Sequence, residues 1–367
     1  MSRRFSIVCC CFLILLTLAP PALARVVWRR SLEPWSLLRS KRINSEKAPP
    51  YIEGARIYAV SSRGRYLELD ALSGKRLVKA RIKYRASSGL LVEEGRVYFG
   101  SQSGDLVCLD SDNGEVLWTY PLKVIDISPP AVFGDLLIFQ TGIDEVTAIN
   151  KASGEWVWTY QHPSLNDISI MGISAPMVDK QFVYIGTADG YLLALHGEDG
   201  RLVWKKQVFT QGNFRDIDGG LAQDETTIFA CDFYGEVVAV SKKTGEKYWS
   251  YQVGGLAGPV VEGELVYVAG RDGSVVALDK NTGLKLWDTV IFEPETFTPM
   301  KRLLTPTLYK QWLLVPNLQG MIFLLDPQSG KLRKTKYTLK PTSIPVQTWE
   351  DGAYLYGNKG IIYKLRY

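Results

Sequence analysis

Apolar residues in this chain come in short runs separated by polar turns. From Val97 to Trp118, Val97-Tyr98-Phe99 is apolar and β-prone, Ser101 to Gly104 reads as a turn, and Leu106 to Asp110 reads as a second strand. Ser111 to Gly114 is a second turn, Glu115 to Trp118 a third strand, and Ser87 to Val92 supplies a fourth strand ahead of them. Beyond the first 24 residues, no stretch of ten or more sustains the three-and-four apolar spacing of an amphipathic helix. The pattern predicts an all-β chain.

The unit repeats. Pairs of glycines ten residues apart recur at Gly64/Gly74, Gly104/Gly114, Gly190/Gly200, Gly235/Gly245, Gly273/Gly283 and Gly320/Gly330. A seventh copy runs Asp144, Asn150, Gly154, and an eighth starts at Gly360. Successive first positions are 40, 40, 46, 45, 38, 47 and 40 residues apart, the length of a four-stranded propeller blade. Four residues after the second glycine, five copies carry Trp118, Trp158, Trp204, Trp249 and Trp287. The expectation is an eight-bladed β-propeller of four-stranded antiparallel blades. Two strands of the eighth copy, Ala353 to Tyr356 and Ile361 to Leu365, need an outer partner, and Arg25-Val26-Val27-Trp28-Arg29-Arg30 parallels Arg201-Leu202-Val203-Trp204-Lys205-Lys206. That first strand is expected to close the ring and remove its open ends.

Repeated positions have structural work to do. The glycines suit positive φ in tight turns, and Asp70, Asp110, Asn150, Asp279 and Asp326 can bond the backbone of the turn that follows. They read as turn chemistry and not as catalytic acids. His196 stands at the aspartate position of its repeat and reads as a turn variant; with His162 the only other histidine, a histidine metal site is not expected. The tryptophans offer area to fill the wedge between splayed blades, with an indole N–H that needs an acceptor. Trp35, Trp156, Trp312 and Trp349 lie outside the period and read equally as core or as platforms for a sugar.

Residues 1–24 read as a secretory signal peptide: Arg3 and Arg4, an apolar run from Phe5 to Leu18, and Ala22-Leu23-Ala24 as a cleavage site. Cys9, Cys10 and Cys11 lie inside that run, which argues against lipidation at its end. Residues 25–367 are then a single propeller. Cys108 and Cys231 are expected to be separate buried thiols, so no disulfide framework is predicted. The net charge of +5 falls to about +3 without Arg3 and Arg4, too little to indicate nucleic acid. A basic run, Arg29, Arg30, Arg39, Lys41, Arg42 and Lys47, reads as a solvated connection, with membrane-surface contact as the alternative.

Function is sought where the period breaks. Three intervals are longer than the rest, and the extra residues fall in Tyr160 to Pro176, Lys205 to Leu221 and Asp288 to Pro306. The first carries Ile168, Ile170, Met171 and Ile173; the second carries Phe209, Phe214, Arg215, Asp216, Ile217 and Asp218. Apolar residues not needed to turn the chain make these loops candidates for partner contact.

The repeat form Tyr184-Ile185-Gly186, Asp189-Gly190-Tyr191-Leu192-Leu193-Ala194-Leu195, Gly200-Arg201-Leu202-Val203-Trp204 resembles that of pyrroloquinoline-quinone-like eight-bladed propellers. Within them, Pro163-Ser164 to Ser174-Ala175-Pro176, Arg215-Asp216-Ile217-Asp218, Arg302-Leu303-Leu304-Thr305 and the ending Gly360 to Arg366 resemble the BamB family of outer-membrane assembly factors. That resemblance implies a non-enzymatic periplasmic scaffold without cofactor, monomeric within its complex and docked on the POTRA domains of a BamA-like insertase. The implied contacts are Ile168, Ile170, Met171, Arg215, Asp216 and Asp218, with Met171 where the family has arginine, and attachment to the outer membrane runs through the partner. The alternatives are a quinone-dependent dehydrogenase, or a propeller serving another periplasmic complex or binding a glycan. A dehydrogenase would need converging oxygen ligands for calcium, and neither an adjacent cysteine pair nor Cys-x-x-Cys-His occurs after residue 24.

Overall fold

A computed structural model describes residues 25–32, 48–163, 173–211, 215–217, 219–232, 234–253, 257–293, 298–337 and 340–367. These residues form eight four-stranded antiparallel sheets, each built from neighbouring strands along the chain except the last. Blade 1 consists of Tyr51–Glu53, Arg56–Val60, Arg65–Asp70 and Arg76–Arg81, counted from the inner strand outward. Blades 2 to 7 occupy residues 91–121, 131–161, 177–207, 221–252, 260–290 and 307–337. Blade 8 takes Gln347–Trp349, Gly352–Gly357 and Ile361–Arg366, and its outer strand is Arg25–Ser31, paired antiparallel with Ile361–Arg366. The ring is therefore closed by the chain's first strand, as expected.

Burial follows from position within the blade. The two middle strands are almost wholly buried, because both of their faces meet neighbouring blades; the outer strands project past those neighbours and are largely exposed. Hydrophobic clusters accordingly lie between blades, as where Tyr58, Val60 and Tyr66 of blade 1 meet Val97, Phe99 and Val107 of blade 2. The inner strands are short. Ser87 and Ser88 do not belong to one: blade 2 begins at Leu91, while Ser87 N–H and Ser88 Oγ bond the main chain of Gly100 and tie the approach to the sheet.

On one face of the ring, tryptophan locks six of the eight joints between blades. The Trp28 ring lies over Gly74 of blade 1, so close that a Cβ there would sit 2.7 Å from it. Gly74 also has φ +68, which an L-residue with a side chain adopts at a cost. The same pairing joins Trp118 to Gly154, Trp158 to Gly200, Trp204 to Gly245, Trp249 to Gly283 and Trp287 to Gly330. Indole N–H groups donate across the joint, from Trp204 to Lys242 O at 2.8 Å, Trp249 to Lys280 O at 2.9 Å and Trp287 to Pro327 O at 3.0 Å.

The turn readings hold in detail. Asp70 Oδ1 accepts from Ser73 N–H, Asn150 Oδ1 from Ala152 and Ser153, and Asp326 Oδ1 from Gln328 and Ser329. His196 makes the main-chain bonds of the aspartate it replaces, with Gly200 N–H donating to its carbonyl. Cys108 and Cys231 are separate buried thiols on strands, and burial pushes Cys108 up to about 12. Trp156 departs from a core role: it is 58% exposed on the outer strand of blade 3.

Deleting Arg25 to Arg30 removes the outer strand of blade 8 and the Trp28 lock together. The expected result is a large drop in melting temperature, since loss of a packed tryptophan alone costs about 3–5 kcal/mol. A truncated protein melting with the parent would overturn the closure argument.

Candidate partner-binding face

Antiparallel alternation divides the molecule between two faces. In blades 1 to 7 the turn joining the third and fourth strands lies on the Trp–Gly face, so the hairpin joining the second and third strands and the connection to the next blade lie on the opposite face. The long connections after blades 3, 4 and 6 therefore share one face. Those after blades 3 and 4 leave adjacent blades.

Below these two connections lies a buried polar cluster. In the hairpin of blade 3, Asp144 replaces the repeat's glycine, holds the left-handed conformation at φ +55 and is only 5% exposed. Its carboxylate accepts from Gln140 Nε2 at 3.0 Å and from Ala188 N–H of blade 4 at 3.2 Å. Gln140 Nε2 also donates to Gly186 O across the same joint. Burial pushes the Asp144 carboxyl up to about 6, despite those two bonds and the nearby His162. His162 starts the long connection, donates its main-chain N–H to Asp144 O, and places Nε2 3.1 Å from both oxygens of Asp189. Burial would raise the Asp189 carboxyl, but the contacts with His162 and Thr187 outweigh it and hold it below the usual carboxylate range. One carboxylate is thus pushed up and its neighbour held down. The blade 3 to blade 4 connection begins from a fixed point.

The connection after blade 4 is anchored at both ends. Val208, Phe209 and Ile217 are buried in the cluster between blades 4 and 5. Ile217 packs against Gly186 and its N–H donates to Thr187 O, while the Arg215 Cβ lies beside Gly190. Arg215 is half-buried. Asp216 is only 4% exposed, so the expected charge-bearing rim is corrected at this position: packing of Ile217 into the blade joint carries its neighbour inside. Ile168, Ile170, Met171, Phe214 and Asp218 lie outside the described residues. Ile173 and Ser174 return the first connection to the face, with Ser174 buried and Ile173 half-buried.

Sequence reasoning passed over Asp144, Gln140, Thr187 and Asp189. The available signal was the break at Asp144, the one repeat without glycine at its first position, read only as an imperfect copy.

The same face holds the mouth of the central channel. A cavity of about 730 Å³ is lined there by residues including Ser87, Ser88, Gln102, Asp126, Ile173 and Ser343. Asp126 is the only carboxylate among the described lining residues, and no described lining residue is cationic. That set does not fit a calcium ion with an anionic quinone, which requires converging oxygen ligands and counter-charges.

Asp144 makes stability pH-dependent. Its folded pKa is about 6 against an ordinary 3.8, so between those values the unfolded chain ionises first and the folded state loses stability as pH rises. Asp144→Asn, which cannot ionise and tolerates positive φ, is expected to gain on the parent by on the order of 2 kcal/mol between pH 4 and pH 7. Urea denaturation at both pH values measures the gap. A gap that stays constant refutes the assignment.

Comparison with known proteins agrees with this architecture. A family model described as outer membrane protein assembly factor BamB matches residues 21–105, 69–289 and 212–343. Similar curated proteins include the BamB of Xanthomonas campestris pv. campestris, 28% identical over 61% of this chain and 59% of that protein, and that of Yersinia pestis, 22% identical over 77% and 74%. The match to the BamB of Nitrosomonas eutropha spans 62% of its length, so this chain aligns with somewhat under two thirds of two of these relatives. Among solved structures, BamB from Moraxella catarrhalis superposes with TM-score 0.79 at 21% identity, covering 94% of this chain and 98% of that one. A quinohemoprotein alcohol dehydrogenase from Comamonas testosteroni superposes with TM-score 0.69 at 13% identity over 94% and 76%, a likeness of fold alone. With the family match running almost the length of the closed ring, this chain belongs to the BamB family of outer membrane protein assembly factors.

Proposed function

We propose that this chain is a non-enzymatic scaffold subunit of an outer-membrane β-barrel assembly machinery, working in the periplasm and docking on the POTRA region of a BamA-like insertase. The observation that carries the reading is the pair of long connections that leave blades 3 and 4 side by side on one face, each tied to buried groups at its base. Family membership supports the assembly role, and such paired loops on a rigid ring suit a partner-binding surface. In this reading Ile168, Ile170 and Met171 are the apolar anchors, and Arg215 and Asp218 are the charged contacts. Asp216 has a different role. As a buried group it holds the second loop in shape and does not itself meet the partner. Among the described residues no helix is long and apolar enough to cross a membrane, and attachment through the partner fits that.

The test is binding of the purified protein to the POTRA region of the insertase from the same organism, by calorimetry. Ile168→Asp with Ile170→Asp and Arg215→Glu is expected to weaken binding by roughly 30-fold or more, the size of a lost hot spot. The melting temperature should stay near that of the parent. Parental affinity in the triple variant would overturn the proposal.

A further inference from the structure

Away from the loop face, charge is distributed unevenly around the perimeter. The outer strands of blades 2 and 3, Val116–Pro121 and Trp156–Gln161, carry no charged residue. The outer strand of blade 8, Arg25–Ser31, carries Arg25, Arg29 and Arg30. Around the outer strand of blade 1, residues 75–85 hold six cations and no acid: Lys75, Arg76, Lys79, Arg81, Lys83 and Arg85. These two strands are neighbours. Trp28 lies over Gly74, and Arg30 Nε donates to Gly74 O.

Alternation along the strand orients the blade 1 cations. Val78 and Ala80 pack toward blade 2, where Ala80 approaches Gly114. Leu77, Lys79 and Arg81 therefore face the opposite way, toward blade 8. Arg25, Arg29, Lys75, Arg76, Lys79 and Arg81 are exposed, and none is in an ion pair with another described residue. Aliphatic side chains on the same two strands are exposed as well: Val26 is 38% exposed, Val27 43% and Leu77 48%.

We propose that the perimeter of blades 8 and 1 is a docking surface for a bilayer containing anionic phospholipid, a direct contact that does not rest on the partner reading above. Charge complementarity selects an anionic occupant. The chain's own linker does not supply it, because residues 33–47 carry Arg39, Lys41, Arg42 and Lys47 against Glu33 and Glu46. A second copy of this surface would set like charges together. The residue mixture favours lipid over an acidic protein: cations spread along two strand edges reach many phosphates, and the aliphatic side chains on the same strands enter the headgroup boundary. The basic stretch thus gains a role in the fold, since its first arginines lie on the strand that closes the ring.

The experiment is co-sedimentation of the protein with phosphatidylcholine vesicles, with and without phosphatidylglycerol, at low and high salt. The expected result is at least a tenfold preference for the anionic vesicles that falls with salt, since each cation near the surface is worth roughly fivefold in partitioning. Arg25→Glu, Arg29→Glu, Lys79→Glu and Arg81→Glu together should abolish the preference, and the four glutamine versions should reduce it. Val26→Ser, Val27→Ser and Leu77→Ser, at unchanged charge, should weaken binding several-fold. Lys247→Glu, on blade 5, should leave it unchanged. Circular dichroism and melting check that each variant folds. The proposal is overturned if the parent binds both vesicles equally or neither, or if the glutamate variant binds as the parent does. It is also overturned if polyglutamate displaces the parent from vesicles while the serine variant binds them undiminished, which would assign the surface to an acidic protein.

Discussion

A tryptophan ring laid flat over a glycine of the next blade is the contact on which the ring depends. It demands two things of one position: a left-handed turn, and no side chain under the indole. Glycine alone meets both, which is why Gly74, Gly154, Gly200, Gly245, Gly283 and Gly330 recur with the tryptophans. Where the tryptophan is missing, the joint is rebuilt with other groups. Blade 1 has Val78 at that position, and Tyr66 and Ala80 approach Gly114 in its place, with Tyr66 Oη donating to Ser111 O at 2.7 Å. Between blades 7 and 8, Tyr309 is buried with Leu324 and Tyr363, and Thr307 Oγ1 donates to Val346 O. At blade 2 the acceptors Lys151 O and Ala152 O are used by Arg96 and Tyr98, and the buried Trp118 indole N–H has no partner among the described residues. Packing survives there without the hydrogen bond, so area and shape outweigh the indole bond in the joint.

Placing the locks on one face frees the other. Turns on the locked face are committed to accepting a neighbour's ring, and a longer loop there would displace it. On the opposite face, hairpins and connections meet fewer such demands, and the chain tolerates extra length. The buried cluster of Gln140, Asp144, His162, Thr187 and Asp189 shows how that length is controlled. Besides the Trp158 ring over Gly200 on the locked face, the joint between blades 3 and 4 has the Asp144 carboxylate accepting from a main-chain N–H of the next blade, and the long connection starts from the main-chain carbonyl of the same residue. Polar groups buried this way are costly unless paired, which favours a unique arrangement at the loop's base.

The architecture was legible because it is written many times. Each glycine pair, turn aspartate and blade-ending tryptophan is one sample of the same geometric requirement, and repetition separates that requirement from chance. The closing strand was legible for the same reason, since Trp28 sits in a copy of the strand that carries Trp204. The loop face was legible only by subtraction. Its location follows from where the period lengthens, but its internal packing follows from pairings that occur once. The sequence does not announce that Ile217 turns inward against Gly186 or that Asp216 follows it. Nor does it announce that Asp144, at a glycine position, reaches Ala188 some forty residues on. Trp156 was ambiguous for a related reason: at an outer strand, neighbouring residues differ by which face they turn, and composition does not record that.

The quinohemoprotein dehydrogenase and this protein share a ring of similar fold, and the repeats explain how one ring can carry different surfaces. Joints between blades fix the scaffold on buried surfaces that no ligand reaches, so the channel mouth, the loop face and the perimeter can each change with little effect on folding. Among the described residues the channel mouth offers one carboxylate, while the outer strands of blades 8 and 1 display exposed cationic side chains. A ring whose exposed charges line its edge is suited to contact with another surface. The closing strand sharpens that conclusion, because Trp28 and Arg29 are adjacent in it: one completes the ring and the next presents charge at its edge. Closure of the fold and display of the basic perimeter are thus properties of a single strand, and a change that unpairs it disturbs both.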